Sequence, residues 1–268
     1  MMTQTPETHR AQVAYVTALL GLSEAQLRHR IARACHLHRG GSVLNVGSGP
    51  GCDVPALFEE VGACGHVQCV DLEPTMVEAV RERFGAQAWC DVVQADASAL
   101  PFEDQSFNAA LCAGMLHQVS DRTLVLREIV RVVKPGGRVV IANKGLPPWL
   151  SWSDPDWYED VVACLGDDMR QPVPLAELPR EATTVQLEWL PGDAFYLLSF
   201  VVGTGPRPVN RDVTIPGSTM AVGEALALLH KLPSVKDFGA LGDGVTDDSA
   251  AIQAAMDADI SIADLVGR

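Results

Sequence analysis

Five short apolar runs are spaced along the first half of this chain: Ser42 to Val46, His66 to Leu72, Trp89 to Ala95, Phe107 to Ala113 and Arg138 to Asn143. Helical patterns stand between several of them, over Val54–Val61, Pro74–Phe84 and Asp121–Val133. Strands separated this way are joined by crossovers rather than tight hairpins, which makes them parallel neighbours. Parallel strands are buried on both faces, so the runs are apolar rather than alternating. The pattern predicts an α/β fold, an open doubly wound sheet with helices on both faces.

The flanking segments read differently. Residues 8–38 are helical, and a second helix opens at Ser23 with Gln26 three residues on, the pattern of a capping box. Residues 144–182 are interrupted by Pro147, Pro148, Pro172, Pro174 and Pro179, with a helix expected over Pro155 to Leu165. Thr183 to Leu190 and Ala194 to Val202 are two strands joined through Pro191-Gly192-Asp193, a hairpin signal. Gly203 to Pro208 reads as a linker. The division expected is a main domain over residues 1–206 and an appended tail over 207–268.

Composition removes several classes. Acidic residues outnumber basic ones 34 to 20, for a net charge of −14. Binding along a phosphate backbone needs a basic surface, so nucleic acid is not an expected partner. An anionic membrane is disfavoured for the same reason. No apolar run approaches a membrane span, and the opening residues MMTQTPETHR lack the pattern of a secretory signal. The seven cysteines form no CxxC pair, so free thiols in a cytoplasmic setting are expected, with no metal site.

The chemistry-bearing element is Val43-Leu44-Asn45-Val46-Gly47-Ser48-Gly49-Pro50-Gly51, a strand running into a glycine turn and then a helix. Glycines let backbone approach a ligand closely, and the helix start behind them offers free N–H groups. The same turn also serves as a plain tight connection. Asp71 ends the next strand, where a carboxylate can accept both hydroxyls of a ribose; a solvated strand-end acid is the alternative. Asp96 follows the third strand, placed either to accept an adenine amino group or to cap the next turn. His117, after the fourth strand, is the candidate general base, or a histidine packed under its loop. Trp149, Trp152, Trp157 and Tyr158 cluster after the fifth strand, as an acceptor cover or as ordinary packing.

In order, the segments VLNVGSGPG, CVDLEPTMVEAV, QADASALPFEDQSFNAALCAGMLHQVSD and VLREIVRVVKPGGRVVIAN resemble the class I S-adenosylmethionine-dependent methyltransferases, in particular the small-molecule enzymes of the UbiE and type 11 kind. The resemblance covers about residues 10–205 and implies a Rossmann-like sheet whose last strands are antiparallel. It implies S-adenosyl-L-methionine as cofactor, with Gly47, Gly49 and Gly51 around its methionine part. Asp71 would hold the ribose, Leu72 the adenine face, and Asp96 and Ala97 the adenine edge. Cys112 and Ala113 would line the reacting end, before Gly114, although Cys112, like Cys52, also reads as a small core residue. Two positions depart from the pattern. Asn45 stands where an acid usually precedes the glycines, and Asn108 where Phe-Asp is usual, which implies weaker cofactor binding or turnover. Ala113-Gly114-Met115-Leu116 lacks the Pro-Pro loop of amino-directed nucleic-acid enzymes, and no Pro-Cys nucleophile is present. A small-molecule acceptor is the implied partner.

The tail differs. Ser234 to Ala258 reads SVKDFGALGDGVTDDSAAIQAAMDA, a short strand, a Gly-Asp-Gly turn and a helix. It resembles the opening of the pectate-lyase-like β-helix of phage tailspikes. Too few residues follow for the stacked coils of a glycan groove, so no lyase activity is expected. The resemblance implies a tail that self-associates or docks to a β-helix protein. It also supplies the alternative function: a virion-associated structural component in which the methyltransferase-like domain is an anchor.

Overall fold

The computed structural model describes residue 14 and residues 16–147 and 150–204. The expected tail, the first turns of the N-terminal helical region and Trp149 lie outside them. Seven strands form one sheet: β1 Ser42–Val46, β2 His66–Asp71, β3 Cys90–Gln94, β4 Phe107–Ala113, β5 Val133–Lys144, β6 Ala182–Trp189 and β7 Phe195–Val202. Their order is β3-β2-β1-β4-β5-β7-β6. The first five are parallel, β7 runs antiparallel to β5, and β6 and β7 form the expected hairpin.

The helices are α1 Glu24–Ala34, α2 Val54–Val61, α3 Pro74–Phe84, α4 Arg122–Val132, α5 Leu150–Ser153 and α6 Pro155–Leu165. The capping box at Ser23 is formed in both directions: Gln26 N donates to Ser23 Oγ, and Ser23 N to Gln26 Oε1. Helix α1 stops at Ala34, short of the His38 expected from sequence, because His36 turns to φ 47°. Asp121 caps α4 by accepting from Leu124 N at 2.9 Å. Strand β5 starts five residues earlier than expected. Val133 pairs with Phe107, and the Pro-Gly-Gly turn is absorbed as an irregularity before Arg138 rejoins β4 at Ala109.

Alternation along the strands divides the core in two. Val43, Leu111 and Val140 face α1, α2 and α6, together with Leu57, Ile31 and Leu165. Leu44, Cys112 and Ile141 face α4, together with Leu126, Ile129 and Phe200. A sheet covered on both faces leaves its two edges of strand ends as the places where a ligand can enter. In open α/β sheets the ligand lies outside the carboxyl ends, where the strand order reverses, here between β1 and β4.

Candidate functional site

The carboxyl ends of β1, β2 and β3 bring the glycine turn, Asp71 and Asp96 to one edge. Gly47 and Gly49 have φ 64° and 53°, values that side-chain-bearing residues rarely adopt. The two glycines are required for different reasons. A Cβ on Gly47 would sit 2.5 Å from Met115 Cγ, whereas a Cβ on Gly49 would meet nothing within 4 Å. Gly47 is thus pressed against the loop after β4, and Gly49 borders open space. Gly51 packs inward, where a Cβ would lie 3.0 Å from Phe84.

Asp71 is tied to the turn. Its Oδ2 accepts from Gly49 N at 2.7 Å and its Oδ1 from Glu73 N at 3.0 Å. Each oxygen keeps a further lone pair. Next to it, Leu72 is 58% exposed, an apolar side chain presented to solvent beside a fixed carboxylate. Asp96 Oδ1 accepts from Ser98 N at 2.8 Å and Ser98 Oγ at 2.7 Å, and these bonds hold its carboxyl below the ordinary range. The turn-capping role weighed for Asp96 is therefore present, and it occupies one of the two oxygens. Ala97 is half-buried against the second core.

Other positions lie elsewhere than the resemblance implied. The Cys112 thiol is buried in the second core, and desolvation pushes it up to about 12, so only the backbone of this residue reaches the site edge. Asn45 is 1% exposed, on the first-core face of β1 between Cys69 and Leu111. Both atoms of its amide lack a hydrogen-bond partner in the protein, two residues below Gly47. Asn108 is at the amino end of β4, and its Oδ1 accepts from Ser42 N at 2.9 Å and Ser42 Oγ at 3.1 Å. That end of the sheet is opposite the glycine turn.

His117 is held at both ring nitrogens, with Nδ1 3.1 Å from the Asn143 amide and Nε2 3.1 Å from Asp168 Oδ2. Lys144 Nζ, 2.8 Å away, shares Asp168 Oδ2. Burial is the main influence on the imidazole and lowers its pKa; Asp168 opposes this and Lys144 adds to it. The atom facing Nδ1 is Asn143 Oδ1 and the atom facing Nε2 is a carboxylate oxygen, so each ring nitrogen donates when it carries a proton. Gln171 Nε2 donates to the His117 carbonyl at 3.1 Å. His117 thus joins the 116–118 turn, the end of β5 and the 167–170 turn, the packed arrangement weighed for it beside the role of base. Sequence reasoning missed Asn143, Lys144 and Asp168, which no local motif connects to His117. Tyr158 is buried, and Trp157 is half-buried against the first core, which is the packing reading of those two aromatics.

A second missed feature supports the glycine turn from behind. Arg28 of α1 donates to Asp53 at 3.1 Å, with both side chains largely buried. Asp53 immediately precedes α2, so the ion pair fixes the helix start against α1.

Comparison with known proteins agrees with this geometry. Residues 44–141 match the family model of a methyltransferase domain, and the expected resemblance is borne out there. Residues 233–264 match a rhamnogalacturonase A/epimerase, pectate lyase-like family. The demethylmenaquinone methyltransferase of Staphylococcus aureus strain MRSA252 is 34% identical over 120 residues, 45% of this chain and 50% of that protein. The chain spans about half the length of the curated relatives it matches. Among solved structures, a protein of Bordetella parapertussis described as a possible exported protein superposes with TM-score 0.55 at 18% identity, over 67% of this chain and 68% of that one. Phosphoethanolamine N-methyltransferase 2 of Haemonchus contortus, solved with S-adenosyl-L-methionine, gives TM-score 0.55 at 16% identity over 66% and 52%. These two likenesses establish the fold as the Rossmann-like methyltransferase sheet.

Proposed function

We propose that this protein transfers a methyl group from S-adenosylmethionine to a small-molecule acceptor. The observation that carries this reading is the glycine turn hydrogen-bonded to Asp71 at the carboxyl edge of the sheet, inside the segment that matches methyltransferases. The residues present fit the cofactor. Open space borders Gly49, Asp71 retains lone pairs for two ribose hydroxyls, and exposed Leu72 offers an apolar face for adenine. The unpartnered Asn45 amide lies just beneath, where an acid is usual in the family it resembles.

The cofactor, when bound, supplies an electrophilic methyl carbon on a sulfonium. This chain would supply position: the glycine turn seats the methionine end, and Asp71 and Asp96 fix the nucleoside. Holding reactants close and aligned is the main source of rate in such a displacement. His117 is spent on Asn143 and Asp168, so an acceptor that must lose a proton loses it to water or to its own neighbouring group. The name of the 34%-identical relative makes a demethylmenaquinone-like ring, in its quinone and reduced forms, the first acceptor to screen.

The reading is tested with methyl-labelled S-adenosylmethionine and a panel of quinol, phenol and amine acceptors. Label should enter at least one acceptor with the wild type and fall at least about 100-fold with Asp71→Ala, the loss expected when an orienting interaction is removed. A wild type that binds no cofactor would contradict it. The tail match favours one second reading, an anchor or adaptor that associates through residues 233–264. Trimeric protein without cofactor affinity would favour that reading.

A further inference from the structure

The amino end of the sheet, opposite the proposed cofactor edge, holds a groove of about 430 Å³. Its walls include His36 and His38 from the segment after α1, Asn108 from β4, and Lys134 and Arg138 from β5. Among the described residues no carboxylate lines it, in a chain where acidic residues outnumber basic ones 34 to 20. Among the described residues, eight arginines and lysines are ion-paired: Arg28, Arg30, Arg33, Arg81, Arg122, Arg131, Arg170 and Lys144. Neither Lys134 nor Arg138 of the groove is in that set.

The groove is built from fixed donors. Arg138 Nη1 donates to Ser199 Oγ at 2.9 Å and to Gln186 Oε1 at 3.3 Å, so neutral partners hold the guanidinium and leave its charge uncompensated. Burial lowers the Arg138 pKa, and the opposing influence is the Cys35 thiol rather than a carboxylate. Asn108 spends its Oδ1 on Ser42, which leaves the donor end of the amide for the groove. An acid at this position, usual in the family the chain resembles, would place a negative charge among these cations. Gly137 lets the 135–137 turn close onto β4, since a Cβ there would lie 2.5 Å from Asn108 O.

We propose that this groove binds the phosphate group of a small phosphorylated ligand, held by Lys134, Arg138 and the Asn108 amide with His36 and His38 at its rim. A guanidinium and an ammonium around one pocket suit phosphate oxygens, Arg as a planar fork and Lys as a point charge. The net charge of −14 confines the attraction to this pocket and disfavours an extended polyanion. The site is independent of methyl transfer, because it lies at the other end of the sheet.

The test is calorimetric titration of the full chain with inorganic pyrophosphate at low salt. Saturable binding is expected, weakened at least about tenfold by Asn108→Asp, which adds a charge without bulk and still accepts from Ser42. Lys134→Gln, near the start of β5 and half-buried, should weaken it similarly, and circular dichroism checks that both variants fold. A parallel arm uses phosphatidylglycerol vesicles to separate a lipid headgroup from a free ligand. Absence of saturable pyrophosphate binding, unchanged affinity in both variants, or binding to vesicles without pyrophosphate binding would each overturn the proposal.

Discussion

Gly47 and Gly49 share a backbone conformation and differ in what surrounds them, so the same substitution should act differently at each. Gly47→Ala meets strain at φ 64° and a collision with Met115. It should cost about 2–5 kcal/mol in urea unfolding, the sum of a left-handed backbone and an overpacked contact. Gly49→Ala meets the strain alone and should cost about 1–2 kcal/mol. Its added methyl projects into the open space beside Asp71, so it should weaken cofactor binding more than it weakens the fold. Equal stability losses at the two positions would contradict the assignment. At this scale the sequence was informative because strand, glycine turn and helix are contiguous. Residues 43–54 specify one another locally, and Asp71 was located by its place at a strand end. The burial of Asn45 was not legible, since β1 is covered on both faces and alternation does not separate a site-facing residue from a core one, whereas Cys112 takes the core position weighed for it.

Among the elements, the His117 clamp ties the end of β5 to the turn at Asp167–Arg170 and so holds the irregular segment after β5 onto the sheet. Its pKa is lowered in the folded protein, so the unfolded chain binds more protons just below the ordinary histidine value of about 6.5. Stability should therefore fall as pH drops through 6.5 toward the folded value, and rise again toward neutrality. Urea midpoints from pH 7.5 to 5.5 should show this slope in the wild type, and His117→Gln should flatten it. An unchanged slope in His117→Gln would rule the histidine out as its source. Element order and type followed from periodicity, including the β6–β7 hairpin through Pro191-Gly192-Asp193. The early start of β5 did not, because pairing of Val133 with Phe107 overrides the breaker signal of Pro135 and Gly136. The partners of His117 come from β5 and from a turn 51 residues away, contacts that exist only once the chain has folded.

Over the whole molecule, site-like groups collect at both ends of the sheet. The carboxyl end gathers the glycine turn, Asp71, Leu72 and Asp96; the amino end gathers uncompensated cations around Asn108. Asn108, one of the two departures from the family pattern, sits at the second end, a seven-residue strand away from the carboxyl edge. The claim on which the functional account rests is that the carboxyl end binds S-adenosylmethionine. Calorimetric titration with S-adenosylhomocysteine, on wild type and Asp71→Ala, tests it most directly. Micromolar binding to the wild type, weakened at least about tenfold when the carboxylate is removed, is the predicted result, since a charged hydrogen-bond acceptor contributes about 1.5–3 kcal/mol. Wild-type protein that binds no S-adenosylhomocysteine, or an Asp71→Ala variant that binds it as tightly, would contradict the account.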